Sequence, residues 1–383
     1  MPMLAASTTK TTVAPADAGT RTLVTHCADA GAGGHDRESR ANVARRLAQV
    51  MHWRYGGAYD ASLRYEKPLY VVPHDALLTA QAAAVGVHGA DQLFGGVVPH
   101  AFVATKAITH PLVSRDAVAP EGWSHACAEN MHDAALRGYT AFDRRDAREA
   151  AIALLRHGPV RIKSVTGIGG AGQHLVRQAG GIDPALEAVG DDAIATAGVA
   201  IEEHLEDSVT YSVGAVTCGG LGIAYWGTQA AVTNPRGHEV YGGSTLDVVR
   251  GGFDDLLAAG LEQERYKAVV LAQAYDAAAF AAYPSAYASR RNYDVLFGRD
   301  ASGRLRSGVL EQSWRIGGAS GAEVMALDAF LRDHARTRVR CATVETYDDA
   351  CVVPDGAFVY YRGVDAHAGP LTKYAIELDG HDA

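Results

Sequence analysis

Apolar residues change their spacing along this chain, and the changes divide it. TLVTHC (22–27) and PLYVVP (68–73) read as short strands. Between them Val43, Leu47 and Val50 recur at helical intervals, which predicts a helix over about 37–51, and DALLTAQAAAVG predicts the next. Strand and helix alternate here, as in a small parallel α/β unit. Two helical stretches follow, over about 124–137 and 143–156. From residue 159 short strands dominate: VRIKSV, QHLVRQ, VAIEEHL, TYSVGAV and GLGIAYWGT, with helices near 183–196 and 265–282. YDVLFG and SGVLEQSW flank the turn RDASGR, and a helix starts near Gly321. The chain reads as an α+β body behind an α/β unit, without internal repeats.

Composition narrows what such a chain does. Its 383 residues are 48% hydrophobic and 21% charged, enough apolar material for a large core. The formal net charge of −9 argues against general nucleic-acid binding, which needs a basic surface, but leaves room for a local pocket that takes one small anion. Cys27, Cys127, Cys218, Cys341 and Cys351 show no CxxC spacing and fit a reducing cytoplasm. No apolar run approaches the ~20 residues of a membrane span. Residues 1–20, rich in Thr, Ala and Pro, lack the apolar core of a signal peptide and read as a disordered tail.

Candidate chemistry begins at RIKSVTGIGGAGQHLV (161–176), where Gly167, Gly169 and Gly172 form G-x-G-x-x-G. A dinucleotide-binding turn must lead from a strand into a long helix. Here QHLVRQ alternates polar and apolar residues, so a β-hairpin with a glycine tip is the better reading. Its backbone N–H groups suit anionic oxygens. Lys163, on the incoming strand, either snorkels at a sheet edge or reaches a phosphate. Asp294 and Glu311 lie on two strands joined by the turn from Asp300 to Arg304. As a hairpin these strands would present both carboxylates on one side, which suits Mg²⁺. The alternative is a structural network with Arg290, Arg291 or Arg315. VAIEEHLEDSVTYSVGAV (199–216) is a strand that meets Glu202, Glu203, His204 and Leu205 before a polar turn, either a hinge for an adenine edge or a charged connector. GTQAAVTNPRGHEVYGGS (227–244) reads as a polar, Gly-rich loop carrying Arg236, His238 and Tyr241. The histidines show no ligand spacing; His110 stands out only for lying four residues beyond Lys106.

In this order, lysine-glycine hairpin, acidic hinge and paired carboxylates, the chain resembles the ATP-grasp superfamily, whose members hold ATP between two α+β subdomains. The likeness covers roughly residues 100–320, and residues 21–100 resemble the α/β domain that usually precedes them. It implies units at 21–112, 113–205 and 206–383. It also implies that Lys106, in ATKAITHPLV, and Lys163 contact the nucleotide phosphates under Gly169, Gly170 and Gly172. Glu202, Glu203 and Leu205 would then surround the adenine, Asp294, Glu311 and Ser313 would hold Mg²⁺, and Arg315 would meet the transferred phosphoryl group. The family's Glu-x-Asn-x-Arg appears here as Glu311-Gln312-Ser313-Trp314-Arg315, with a hydroxyl in place of the amide. The acidic ribose contact aligns with Thr210, leaving Glu206 or Asp207 as substitutes. The texture of the chain is also similar to an uncharacterised bacterial family within this group. The resemblance implies a cytoplasmic ATP- and Mg²⁺-dependent ligase that activates a small-molecule carboxylate as an acylphosphate for capture by an amine or similar nucleophile. Arg236, His238 and Tyr241 would lie at the substrate, with Arg236 gripping the carboxylate. It involves no nucleic acid and no membrane, and self-association into a homo-oligomer is among the options. Two other readings stand beside it: a nucleotide-binding regulatory protein without turnover, and a small-molecule kinase.

Overall fold

The computed structural model describes residues 21–27, 34–65, 68–167, 172–365 and 369–378. The tail expected over 1–20, and Gly169 and Gly170 of the hairpin tip, lie outside the described residues. At the N-terminus, β1 (Thr22–His26), β2 (Arg54–Ala58) and β3 (Leu69–Pro73) form a parallel sheet in the order β2-β1-β3. α1 (His35–Val50) makes the crossover and buries Val43, Leu47 and Val50, the stripe read from the sequence. α2 (Thr79–Ala84) follows β4 (Leu77–Leu78), which pairs with β5 (Gly96–Val98). β5 also pairs with the distant β13 (Tyr287–Ala288), joining this unit to the body.

A second sheet contains β6 (Gly138–Ala141), β7 (Val160–Ser164), β8 (Gln173–Val176) and β9 (Val199–Glu203), antiparallel in the order β6-β9-β7-β8. α3 (His125–Met131) precedes it. α4 (Arg144–Leu155) is capped by the Asp143 carboxylate, which accepts from the backbone N–H groups of Arg145 and Asp146. The helix expected over 183–196 is two, α5 (Ile182–Val189) and α6 (Asp191–Ala197), broken at Gly190 with φ +89°. The chain after Gly172 is strand β8, antiparallel to β7, so the dinucleotide turn is absent and the hairpin is present.

The largest sheet has eight antiparallel strands: β10 (Glu206–Cys218), β11 (Leu221–Thr233), β12 (Glu239–Arg250), β14 (Arg290–Arg299), β15 (Leu305–Ser313), β16 (Arg338–Thr346), β17 (Phe358–Asp365) and β18 (Gly369–Leu378). Their order is β15-β14-β10-β11-β12-β16-β18-β17. α7 (Phe253–Leu257) and α8 (Gln263–Ala282) cover one face, packing on Val213, Ala215, Tyr293 and Val295. α9 (Ser320–Arg332) and α1 cover the other, against Val216, Cys218, Tyr225 and Leu246. The expected loop over 227–244 is mostly strand: β11 and β12 pair as far as Thr233 and Glu239, leaving a short turn. Among the described residues no helix is long and apolar enough to cross a membrane. The result is an α+β fold of two sheets, one small and one large, behind a parallel α/β unit.

Candidate active site

β7 lies between β8 and β9, so Lys163 projects from the interior of the small sheet rather than from an edge. It is buried, and its Nζ forms an ion pair with Glu202 of β9. The other Glu202 oxygen faces His110 Nε2 at 3.4 Å. Burial pushes the Glu202 carboxyl up, but the charge of Lys163 and the bond from His110 more than offset this and hold it at about 2. His110 has room only because residue 138 is glycine; a Cβ there would stand 2.6 Å from the imidazole. Glu203 turns away from this group. Its Oε1 accepts from Arg306 Nε and Nη2 at 3.3 and 3.2 Å and from the Arg137 backbone N–H at 3.1 Å, tying the hinge to β15. The side chains of both hinge glutamates are therefore engaged within the protein, and Leu205 beside them is buried.

On the large sheet the register sets Asp294 of β14 directly opposite Glu311 of β15. Burial and the Glu311 charge raise the Asp294 carboxyl to about 7, while Gln229 Nε2 donates to its Oδ1 at 3.0 Å. Lys106, also buried, stands over the pair: its Nζ lies 2.5 Å from Glu311 Oε2 and donates to the Gly167 carbonyl at 3.0 Å. This one ammonium thus links the carboxylates of the large sheet to the loop of the lysine hairpin. Two facing carboxylates, one raised by the other, form a donor set that fits Mg²⁺, which usually takes one or two carboxylates alongside waters and phosphates. Among the described residues no group of three or more His, Cys, Asp and Glu converges.

Gln312 carries no signal in the sequence, because its partners lie far away in the chain. Its Nε2 donates to the carbonyls of Val103 and Thr105 at 2.9 and 2.7 Å, and its Oε1 accepts from Tyr275 at 2.8 Å. It thereby pins the turn that carries Lys106 onto β15. Gln312→Leu leaves the Val103 and Thr105 carbonyls without their donor, and a buried unsatisfied group costs about 1–3 kcal/mol. Chemical denaturation should show a loss in that range or above; an unchanged midpoint and slope would remove Gln312 from this role.

Beyond Glu311 the strand ends against a buried guanidinium. Arg290 Nη1 donates to the Ser313 carbonyl (3.1 Å), to Ser313 Oγ (3.3 Å) and to the Arg315 carbonyl (2.7 Å), and Arg290 pairs with Glu323 of α9 at 2.8 Å. The Arg315 side chain lies where the N-terminal unit meets the large sheet, its Nε 3.8 Å from Asp75. Tyr241 packs its ring beside Gly318, three residues beyond Arg315. Its hydroxyl meets Ser244 Oγ at 2.6 Å and Thr343 Oγ1 at 3.2 Å. Arg236 and His238 sit in the exposed β11–β12 turn, where their backbone N–H groups cap onto Asn234. A cavity of about 320 Å³ lined by Asn234, Pro235, Tyr347 and Asp348 opens beside that turn. The structure pairs Lys163 with Glu202 on the small sheet, sets Lys106 against Glu311 and the Gly167 carbonyl with Asp294 opposite Glu311, and leaves Arg236 and His238 out at the turn.

Three solved structures of similar fold put this geometry in context. Pyruvate carboxylase from Rhizobium etli aligns with a TM-score of 0.53 and 12% identity over 94% of this chain, which spans 36% of that larger protein. Phosphoribosylamine–glycine ligase from Thermotoga maritima aligns at 0.48 and 14% over 94% of this chain and 91% of its own. D-alanyl-alanine synthetase A from Vibrio cholerae aligns at 0.48 and 14% over 77% and 89%. The likeness is one of fold alone, an α+β, ATP-grasp-like body. No curated protein matches the sequence. Residues 23–375 match the family described as protein of unknown function (DUF3182), and the chain belongs to that family.

Proposed function

We propose that this protein is an ATP-dependent ligase that activates a small-molecule carboxylate as an acylphosphate and passes it to an amine or similar nucleophile. The observation that carries this reading is the position of Lys106, held between Glu311 on the large sheet and the Gly167 carbonyl on the hairpin. Phosphoryl transfer asks little covalent chemistry of a protein; it needs positioning and charge neutralisation. Lys163, aimed by Glu202 and His110, and Lys106 hold the phosphates from the two sides. Arg315 meets the phosphoryl group as it moves to the substrate carboxylate. Asp294 and Glu311 would hold Mg²⁺, which supplies further neutralisation of phosphate charge when bound. The ATP-grasp fold supports the reading, because its two α+β halves close on a nucleotide between them. In this reading Tyr241, Arg236 and His238 contact the substrate, with Arg236 gripping its carboxylate from the β11–β12 turn.

Two measurements test it. Lys163→Ala should raise the Kd for ATP roughly 10- to 150-fold, since a charge-assisted bond is worth about 1.5–3 kcal/mol. An unchanged Kd in a folded variant returns Lys163 to a purely structural part. Incubation with ATP, Mg²⁺ and hydroxylamine over a panel of carboxylic acids should give hydroxamate for the true substrate, because hydroxylamine traps an acylphosphate. A stable phosphorylated product instead of hydroxamate identifies a kinase, and binding without turnover identifies a regulatory nucleotide-binding protein.

A further inference from the structure

Asn292 lies directly opposite Ser313 in the β14–β15 register, one step along from Asp294 and Glu311. Positions two apart on a strand share a face, so Asn292, Asp294, Glu311 and Ser313 all project to the same side. We infer that the side-chain carbonyl of Asn292, rather than the Ser313 hydroxyl, is the third protein oxygen offered to the metal held by Asp294 and Glu311. The inference rests on the nucleotide-and-metal reading above and adds a ligand that reading lacks.

The hydrogen-bond network fixes which way the Asn292 amide points. Arg290 donates to both oxygens of Glu323 from Nε at 3.1 Å and again from Nη2 at 2.8 Å, so Glu323 is an ionised acceptor. Tyr225 has a single hydroxyl hydrogen and gives it to Glu323 at 2.6 Å. Towards Asn292, at 3.1 Å, Tyr225 can therefore only accept, and the atom facing it must be Nδ2. The same nitrogen donates to Ser212 Oγ at 2.6 Å. Ser212 and Tyr225 belong to β10 and β11, on one flank of β14, so the planar amide carries its oxygen on the other side, away from those strands and towards β15. Among the described residues no donor reaches that oxygen, although Asn292 is 9% exposed. Ser313 is in the opposite situation. Arg290 Nη1 already occupies a lone pair of Ser313 Oγ at 3.3 Å, and a fixed cation there disfavours a second one. A neutral amide oxygen alongside two carboxylates is an ordinary set for a hard divalent ion.

The test is Mn²⁺ affinity, read by electron paramagnetic resonance of free Mn²⁺ in the presence of a non-hydrolysable ATP analogue, with circular dichroism to confirm folding. Asn292→Ala should weaken Mn²⁺ at least about tenfold, the scale on which changes around a metal site act. Ser313→Ala should leave the affinity unchanged, and Asn292→Ala combined with Ser313→Asn, which restores an amide from the neighbouring strand, should recover most of the loss. Asn292→Gln keeps an amide donor for Ser212 and Tyr225 but displaces the oxygen by one methylene, so it should also weaken Mn²⁺; if Asn292→Ala does not fold, this variant decides. Parental affinity in Asn292→Ala or Asn292→Gln, or a loss in Ser313→Ala, overturns the assignment while leaving the nucleotide reading intact. Failure of the unaltered protein to bind Mn²⁺ with the nucleotide overturns both.

Discussion

Glu202→Gln is expected to lower the stability of the protein by about 3–5 kcal/mol near neutral pH, because breaking a buried ion pair from one side strands its partner. Here the stranded group is Lys163, itself buried, and the lost partner is almost fully enclosed. The pH dependence of the effect identifies its cause. The Glu202 carboxyl is depressed from 4.5 to about 2 in the folded protein. A depressed carboxylate contributes stability that is fully present above its unfolded value and is lost as pH falls through the folded one. The difference between the parent and Glu202→Gln should therefore be constant above about pH 5 and shrink between about pH 4.5 and 2, by an amount on the order of 3 kcal/mol. Urea denaturation at a series of pH values measures this. A difference that stays constant down to pH 2 would mean that the ion pair does not govern Glu202.

Glu311→Gln preserves shape but removes the charge that faces Asp294 and holds Lys106 at 2.5 Å. Carboxylate-dependent phosphate release should fall about 10²–10³-fold, the cost of losing one well-placed electrostatic group at a phosphoryl-transfer centre. The Mg²⁺ concentration needed for half-maximal rate should rise with it. Lys106 also loses its partner, so thermal unfolding must be recorded in parallel to separate activity from folding. Activity within a few-fold of the parent, with an unchanged Mg²⁺ requirement, would exclude Glu311 from the metal site.

The parts of this fold and site that could be read from the sequence are those made by neighbours in the chain. The lysine hairpin needs only alternating residues on either side of a glycine turn. The β14–β15 hairpin follows from two strands and the short turn at Asp300, which caps itself by accepting from Ser302 and Arg304. The facing of Asp294 and Glu311 does not: the turn register runs to Val295 opposite Val309, and a bulge at Leu310 then sets Asp294 opposite Glu311. The contacts that turn these pieces into a site come from elsewhere in the chain. Gln312 reaches Val103 across 209 residues, Lys106 reaches Glu311, and Glu203 reaches Arg306. Nothing in local spacing announces such pairs. The segment 227–244 failed for another reason. Its glycines read as loop signals, but Gly243 is a strand residue beside the bulge of β12 against β11, with φ +131° and a Cβ that would stand 2.1 Å from the Thr343 carbonyl of β16. Strands β16 to β18 are not legible in local spacing either, because the sheet face they extend is completed only by α9 and α1. The Asn292 amide has its orientation set by Tyr225, Glu323 and Arg290, which lie on three different elements.

The most direct measurement of the central claim is isothermal calorimetry of ATP into the purified protein, with and without Mg²⁺. The structure places two lysines, one on the hairpin sheet and one at the carboxylate pair, around a single loop, which predicts one saturable ATP site per chain whose affinity drops when Mg²⁺ is withheld and again in Lys163→Ala. Absence of saturable binding in the presence of Mg²⁺ would contradict the account.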